Sequence, residues 1–314
     1  MRILLWHVHG SWTTSFVQGR HEYLIPVFAG RGPDGRGRAD TWDWPASTVE
    51  VVPGQLAGEP VDAVLLQRPH ELRLAAEWLG RRPGKDLPTW YVEHNTPGGD
   101  VPFTRHPLAD QDEIPIVHVT HFNRLLWDCG AARTAVVEHG VVDPGYRYTG
   151  ELDRAAVAVN DPVRRGRAVG TDLFAPLAAA TPLDVFGMNV APLATSDGRI
   201  RAYQDPPQQK LHAELARRRV YVHTARWTSL GLSLLEAMHL GMPVVALATT
   251  EAPRAVPPDA GVVTADVAEL VDAVRHFTAH PDRAASAGKY AREAALTRYG
   301  LDRFLDDWDA LLAG

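Results

Sequence analysis

The first half of the chain alternates between short apolar runs and amphipathic stretches. The apolar runs are rich in Val, Ile and Leu, and they occur at 2–8, 49–52, 62–67, 89–94, 114–120 and 134–139. Between them, apolar positions return every three or four residues at 71–81 and 121–130, which predicts helices. Runs that are apolar throughout are typical of parallel strands buried on both faces. The pattern therefore predicts an α/β fold with a parallel sheet covered by helices.

The second half repeats this plan. Its apolar runs occur at 155–160, 183–189, 219–224, 243–248 and 261–265. From about residue 266 the pattern is helical to the end, with breaks at 280–282 and 299–302. Because each half has its own series of strands and helices, we expect two Rossmann-like domains that face each other across a cleft.

Two irregular segments complete the domain organisation. Residues 29–47 are rich in Gly and Pro without a period, which predicts a long loop. Residues 140–154 contain Gly, Asp and Tyr between two predicted strands and are the best linker candidate. We therefore assign 1–145 to an N-terminal domain and 146–300 to a C-terminal domain.

Composition and charge narrow the class of protein. The chain has 314 residues, 45% of them hydrophobic and 22% charged, which is ordinary for a globular protein of two domains. A net charge of -6 without a basic stripe argues against a nucleic-acid partner. The single cysteine, Cys129, excludes an internal disulfide, and no apolar run approaches the length of a membrane span. These features predict a cytoplasmic protein; they do not indicate its oligomeric state.

One ionisable residue interrupts the most apolar stretch of the second half. In RWTSLGLSLLEAMHLGMPVVAL (226–247), Leu, Ala and Met surround Glu236, so the predicted helix has no wide polar face. A buried carboxylate without a partner is strongly unfavourable. Glu236 therefore requires either a cation of the protein, with Arg226 or another arginine as the candidate, or a polar ligand. The residues alone leave both interpretations open.

The same stretch predicts a helix whose N-terminus meets a ligand. Gly231 opens the helix, Gly241 stands where a C-terminal glycine is expected, and Pro243 begins the next strand. The free N–H groups and the dipole of such a helix suit a diphosphate. In an open parallel sheet this turn lies beyond the carboxyl ends of the strands, where ligands bind.

The segment GLSLLEAMHLGMPVVA closely resembles the donor-site signature of the retaining GT-B glycosyltransferases of family 4, the glycosyl transferases group 1. A weaker resemblance extends from about Ala155 to the C-terminus. It implies a GT-B fold whose last helix, 301–313, crosses back to the first domain. It also implies a nucleotide-diphosphate sugar of the UDP or GDP type as substrate, and no cofactor. The glutamate that matches Glu236 accepts hydrogen bonds from the donor ribose in that family.

The chain departs from the family pattern at the donor sugar. The family has a first glutamate eight residues before the second, and here that position is Thr228. A threonine hydroxyl can still bond a sugar, so we expect altered donor choice, with lost catalysis as the alternative. The resemblance assigns the following turn to donor binding, namely Ser229, Leu230, Gly231 and Leu232.

The resemblance also places cations at the donor diphosphate. Arg165-Gly166 matches a Lys-Gly pair of the family, with Arg164 beside it, whereas an earlier family arginine is not matched. Arginine binds phosphate with two parallel hydrogen bonds, so the change from lysine keeps the electrostatic role. A solvated turn is the alternative for Arg164 in particular. Gly187 ends the next strand, where the family has a turn near the nucleotide.

The first half supplies further candidates. Gly10 resembles the glycine loop that approaches the donor phosphates, and His94 matches a histidine near the reacting centre. A histidine satisfied by backbone at a strand end is the alternative for His94. With Arg165 and Glu236, His94 forms our predicted catalytic set. The predicted acceptor contacts are His9, Trp12, Asn95 and His118.

A metal site is not expected. His7 and His9 alternate onto one strand face, but no further ligands occur at zinc-like spacings. The Asp-x-Asp patterns at 110–112 and 307–309 do not follow predicted strands, so we interpret both as chance.

The resemblance therefore predicts a retaining, metal-independent glycosyltransferase that moves a sugar from a nucleotide-diphosphate donor to a small-molecule or glycan acceptor. Two alternatives remain. One is another GT-B enzyme, a nucleotide-sugar epimerase or a sugar-phosphate synthase. The other is a catalytically weak nucleotide-sugar binding protein, which the change at Thr228 motivates.

Overall fold

The computed structural model describes all 314 residues and divides them into two units. The first unit combines Met1–Gly140 with Leu301–Gly314, and the second is Val141–Gly300. The division falls after Gly140, at the start of the linker segment. The rest of that segment packs within the second unit, where the backbone N–H groups of Arg147 and Tyr148 donate to the Leu240 carbonyl.

The first unit is built on seven strands. They are β1 (Arg2–Leu5), β2 (Glu22–Pro26), β3 (Thr48–Val51), β4 (Ala63–Leu66), β5 (Thr89–Glu93), β6 (Ile116–His118) and β7 (Thr134–Val136). Its helices are α1 (Gly10–Phe16), α2 (Glu71–Leu79), α3 (His121–Leu126) and a 3-10 turn, Pro53–Gly58. All neighbouring strands are parallel, in the order β3-β2-β1-β4-β5-β6-β7. Strand β4 is buried at every position, as its unbroken apolar run predicts.

The second unit has a six-stranded parallel sheet in the order β10-β9-β8-β11-β12-β13. Its strands are β8 (Leu152–Ala158), β9 (Leu183–Gly187), β10 (Ile200–Gln204), β11 (Arg218–His223), β12 (Val244–Leu247) and β13 (Gly261–Thr264). Its helices are α4 (Pro162–Arg165), α5 (Phe174–Ala180), α6 (Gln208–Leu215), α7 (Leu232–Leu240), α8 (Ala252–Ala255), α9 (Val267–Ala279) and α10 (Pro281–Tyr299). Short 3-10 turns lie at Gly166–Val169, Thr171–Leu173, Ala191–Leu193 and Pro258–Ala260.

The last helix, α11 (Leu301–Ala313), belongs to the first unit. Its apolar stripe packs on α1: the ring of Trp308 lies 5.8 Å from Trp12 and 5.2 Å from Phe16, between ring centroids. Trp308 and Phe304 are almost wholly buried. The return of the C-terminal helix to the first domain is thus confirmed, and burial of its aromatic face explains it.

The predicted α/β architecture with two parallel sheets is confirmed. Two strands, β2 and β10, were not predicted, because EYLIP and IRAYQ are short and carry polar or charged residues. β10 is an edge strand and β2 lies next to an edge strand. Strands at or near an edge need less apolar surface. No helix has both the length and the apolar character to cross a membrane.

Candidate functional site

The loops after four strands of the second unit meet at the carboxyl edge of its sheet. These strands, β9, β8, β11 and β12, are neighbours, and all are parallel, so their carboxyl ends lie at one edge. The candidate donor-site residues follow three of them, at 164–165, at Gly187 and at 228–236. The fold therefore places them at the edge where ligands of open parallel sheets bind.

The turn after β8 carries two adjacent arginines in different electrostatic surroundings. The guanidinium of Arg164 is exposed and forms an ion pair with Asp161 at 2.9 Å. Arg165 is half-buried and no carboxylate forms an ion pair with it. Burial, and then the nearby charge of Arg164, lower the pKa of Arg165. Of the two, Arg165 is the cation that an anionic ligand would stabilise.

Gly187 ends β9 against the end of β8. Its φ is +137°, and a Cβ there would lie 2.1 Å from the carbonyl oxygen of Val159. Only glycine fits this approach. The side chain of Asn160 accepts a hydrogen bond of 2.9 Å from the Met188 N–H and joins the two strand ends. The structure thus gives Gly187 a packing role within this edge.

The loop between β11 and α7 is fixed to the segment that follows β8. The hydroxyl of Thr224 donates to the Val169 carbonyl at 2.7 Å, and Arg226 forms an ion pair with Asp172 at 2.6 Å. Gly170 makes the close approach possible, because a Cβ there would lie 2.1 Å from the Thr224 carbonyl oxygen. The half-buried Thr228 lies in this braced loop.

The close packing at the N-terminus of α7 requires a glycine at position 231. Gly231 is the N-cap residue, and a Cβ there would lie 2.6 Å from Cε1 of His223. His223 is buried, which lowers its pKa to about 4, so the ring is neutral at pH 7. Ser229 and Leu230 are buried before this cap, and Leu232 begins the helix half-buried. Gly231 therefore lets β11 and the helix N-terminus meet closely.

Glu236 lies in the second turn of α7 and is 4% exposed. Its Oε2 accepts a hydrogen bond of 2.9 Å from Gln208 Nε2 and lies 3.2 Å from His212 Nε2. Both partners belong to α6. The ion pair suggested between Glu236 and Arg226 is not what the structure shows, since Arg226 binds Asp172 with both terminal nitrogens.

Other buried acids of the second unit are held differently. Asp184 lies between the guanidinium groups of Arg154 and Arg218, and Glu251 pairs with Arg254 at 2.8 Å. Full cations in contact neutralise these two carboxylates. The groups shown at Oε2 of Glu236 are instead an amide and an imidazole, both from α6.

The first unit brings its own candidates together at strand ends. Gly10 is the first residue of α1 and His9 is its N-cap, and residues 6–8 separate this cap from the end of β1. The rings of His9 and His94 lie 4.1 Å apart, between centroids. His94 is 7% exposed and its Nε2 has no hydrogen-bond partner. Burial, then the neighbouring His9, hold the pKa of His94 well below its usual range. The alternative interpretation, a ring satisfied by backbone groups, is therefore not met at Nε2.

Two predicted acceptor contacts have structural roles instead. Trp12 is fully buried, with its ring stacked 5.1 Å from Phe16, because the aromatic face of α11 covers it. His118 is also fully buried, and its Nε2 lies 3.4 Å from the Cys129 sulfur. Neither side chain offers surface to an acceptor. Asn95 is exposed, and its carbonyl accepts hydrogen bonds from Asn123 and Trp127.

Three residues of these sites were missed in the sequence. His139 follows β7, is 3% exposed, and has no hydrogen-bond partner at either ring nitrogen. Its strand-end position resembles that of His94 and was an available signal. Gln208 and His212 lie four residues apart, which places them on one helix face, but nothing in the sequence links that face to Glu236.

No group of three or more His, Cys, Asp or Glu side chains is arranged to hold a metal ion. The second unit offers a buried carboxylate for hydrogen bonding and a half-buried guanidinium for stabilising negative charge.

Comparison with known proteins is consistent with this site. Residues 198–294, which include α6 and α7, match the family described as Glycosyl transferases group 1. Among curated protein sequences, none matches the chain.

Solved structures share the fold over the full length. Sucrose-phosphate synthase from Thermosynechococcus elongatus is 13% identical with a TM-score of 0.71, over 99% of this chain and 98% of that one. HepE from Anabaena, in complex with UDP, is 14% identical with a TM-score of 0.72, over 100% of both chains. AviGT4, a glycosyltransferase involved in avilamycin A biosynthesis, is 14% identical with a TM-score of 0.64, over 100% of this chain and 97% of that one. Residues 198–294 of the second unit thus match the glycosyl transferases group 1, and the chain as a whole shares the GT-B fold of these solved structures.

Proposed function

We propose that the protein is a retaining glycosyltransferase that transfers a sugar from a nucleoside-diphosphate donor, of the UDP or GDP type, to a small-molecule or glycan acceptor without a metal ion. The observation that carries the proposal is Glu236, a buried carboxylate in the matched segment whose Oε2 is bonded to Gln208 and His212. A carboxylate oriented in this way is an acceptor for the two hydroxyls of a ribose. Two of the similar structures, of HepE, hold UDP or UDP-glucose.

Arg165 and the N-terminus of α7 supply the charge that the leaving group needs. The diphosphate gains negative charge as the glycosidic bond breaks, and donors aimed at that charge lower the barrier. Arg165 is half-buried without an ion-pair partner, so an anion would meet a cation that is already partly desolvated. The backbone at 230–232 adds N–H groups and the helix dipole.

The proton of the acceptor hydroxyl is taken, in this proposal, by the leaving phosphate, and no strong base of the protein is needed. His94 is buried and neutral, which suits a hydrogen-bonding role better than that of a cation. Thr228 replaces the acid at the donor-sugar position, and its hydroxyl supports binding of a sugar with a different hydroxyl pattern.

The test is a transfer assay with a panel of UDP-, GDP- and ADP-sugars, with and without sugar acceptors, in the presence of EDTA. The proposal expects release of a nucleoside diphosphate that depends on the acceptor, with the anomeric configuration of the donor retained in the product by NMR. Interconversion of the sugar without nucleotide release would instead identify an epimerase. Nucleotide-sugar binding without turnover would identify a binding protein. Inversion, or a strict need for a divalent cation, would contradict the mechanism.

A further inference from the structure

Three polar side-chain atoms meet at the buried acid of the second unit. Gln208 Nε2 lies 2.9 Å from Glu236 Oε2, His212 Nε2 lies 3.2 Å from the same oxygen, and the two nitrogens are 2.7 Å apart. His212 is 7% exposed and Glu236 4% exposed. Each atom of the triangle is thus within reach of both others, in a place largely closed to water.

The hydrogens that these three side chains can donate determine which hydrogen bonds form among them. An ionised carboxylate only accepts, and an amide nitrogen has two N–H donors. Gln208 therefore donates one hydrogen to Glu236 and points the other at His212. When Nε2 of His212 carries a hydrogen, in the protonated ring or in one neutral tautomer, it donates to Glu236. When only Nδ1 carries a hydrogen, Nε2 accepts the second hydrogen of Gln208. An amide flipped at Gln208 would place its oxygen against the carboxylate, which excludes that orientation.

Two other polar groups feel the charge of Glu236, one on β11 and one on α7 itself. On β11, the Tyr221 hydroxyl donates to Ser233 at 2.9 Å, and the charge of Glu236 contributes to the raised pKa of Tyr221, after its burial. On α7, His239 bonds through Nδ1 to the Leu235 carbonyl at 2.8 Å, and the charge of Glu236 acts on its ring as well. These groups are engaged with other partners, so α6 supplies the bonds shown at Oε2.

We infer that His212 and Gln208 are positioning residues that fix the Glu236 carboxylate in the orientation in which it accepts ribose hydroxyls. The inference rests on the proposed function, because it concerns the same nucleotide site. Gln208 donates to Oε2 and His212 Nε2 lies within hydrogen-bond distance of the same oxygen, so the two side chains restrict the plane of the carboxylate, and neither brings a guanidinium to it. An arginine in their place would fix the plane but neutralise the charge.

The test compares nucleotides that have and lack the hydroxyls. Affinity for UDP, GDP and ADP is measured by calorimetry, and the tightest of them is compared with its 2′,3′-dideoxy form. In the wild type we expect the ribonucleotide to bind at least about tenfold more tightly, the scale of one hydrogen bond to a charged group. In His212→Phe and Gln208→Leu we expect ribonucleotide affinity to fall about five- to tenfold. Affinity for the dideoxy form should stay within about twofold.

Controls separate positioning from folding. His212→Gln keeps a donor at this place and should recover part of the ribonucleotide preference, while His276→Phe, on α9, should leave both affinities unchanged. Equal loss of both nucleotides in His212→Phe, or full retention of the ribonucleotide preference, would overturn the inference. A wild type that binds both forms equally, or binds none of the three nucleotides, would instead contradict the proposed role of Glu236 and with it the donor site.

Discussion

Arg226 and Asp172 are joined by two charged hydrogen bonds, Nη1 to Oδ1 at 2.6 Å and Nη2 to Oδ2 at 2.9 Å. This pair connects the loop that contains Thr228 to the segment after β8 that contains Arg165. It thereby fixes two parts of the candidate donor site relative to each other within the second unit.

Asp172→Asn should loosen that connection. Both side chains are partly exposed, with 25% of Arg226 and 36% of Asp172 accessible, so we expect a loss of only about 0.5–1 kcal/mol. The donor KM should rise about two- to fivefold, with little change in kcat. Steady-state kinetics measure this, with Arg73→Gln as the matched control, since Arg73 forms an exposed ion pair with Glu77 in the first unit. An unchanged donor KM would show that the pair does not order the loop.

Glu236→Gln should weaken nucleotide binding by about 1.5–3 kcal/mol, because the amide replaces a charged acceptor with a neutral one. Calorimetry with the preferred nucleoside diphosphate measures the change. Glu251→Gln is the matched control: it is also a buried acid of this unit, but Arg254 holds it. That variant should lose stability to urea while keeping its affinity. Unchanged affinity in Glu236→Gln would make Glu236 a structural residue.

Arg165→Ala and Arg164→Ala should differ, although the two residues are neighbours. Arg164 is exposed and paired with Asp161, whereas Arg165 is half-buried without a carboxylate partner. We expect Arg165→Ala to cost about 1.5–3 kcal/mol of affinity for the diphosphate, and Arg164→Ala less than about 0.5 kcal/mol. The measurement compares each nucleoside diphosphate with its nucleoside, for which both variants should resemble the wild type. Equal losses in the two variants would contradict the distinction.

A feature of this site can be predicted from the sequence when the residues that form it are close together in the chain. Gly241 was recognised because helix ends are local: it ends α7 with φ of +85°, as a C-terminal glycine does. Glu236 was recognised because an acid among leucines is conspicuous in sequence. Its partners were not, because they lie 24 and 28 residues earlier on another helix and meet it only through packing.

Aromatic residues show the same limit in the first unit. The resemblance predicted that the last helix would return to the first domain, but not that the ring of Trp12, nearly three hundred residues earlier, would be the partner of Trp308. A tryptophan next to a glycine turn has the same appearance in sequence whether it contacts a ligand or a distant helix. Burial, which only the fold decides, distinguishes these two roles.

Thr228→Glu should change the choice of donor sugar. Thr228 is half-buried in the braced loop, and the acid would restore the pattern that the family has at this position. We expect the ratio of kcat/KM between two donor sugars to shift by about tenfold or more, the scale of one hydrogen bond to a charged group. Competition between paired nucleotide-sugars measures the ratio, and Thr228→Val tests the loss of the hydroxyl alone. An unaltered donor profile in both variants would show that position 228 does not contact the sugar.

Stability should fall as the pH drops from about 6.5 towards 4, because several histidines are buried and neutral. Burial lowers the pKa of His139 and His118 to about 3 and that of His223 to about 4, against about 6.5 in the unfolded chain. Above pH 6.5 neither state binds these protons and stability is fully present. Below it only the unfolded chain takes them up, so each histidine costs up to about 1.4 kcal/mol per pH unit until the folded pKa is reached.

Urea denaturation between pH 7 and 5 isolates this effect from the carboxylates, which titrate lower. Both ring nitrogens of His139 lack hydrogen-bond partners, so His139→Leu removes a buried polar group without breaking a bond. We therefore expect that variant to be at least as stable as the wild type at pH 7 and to lose less stability at pH 5. The same slope of the free energy of unfolding against pH in both proteins would mean that His139 can be protonated in the folded state. In that case its ring must reach water or a ligand at the strand ends of the first unit.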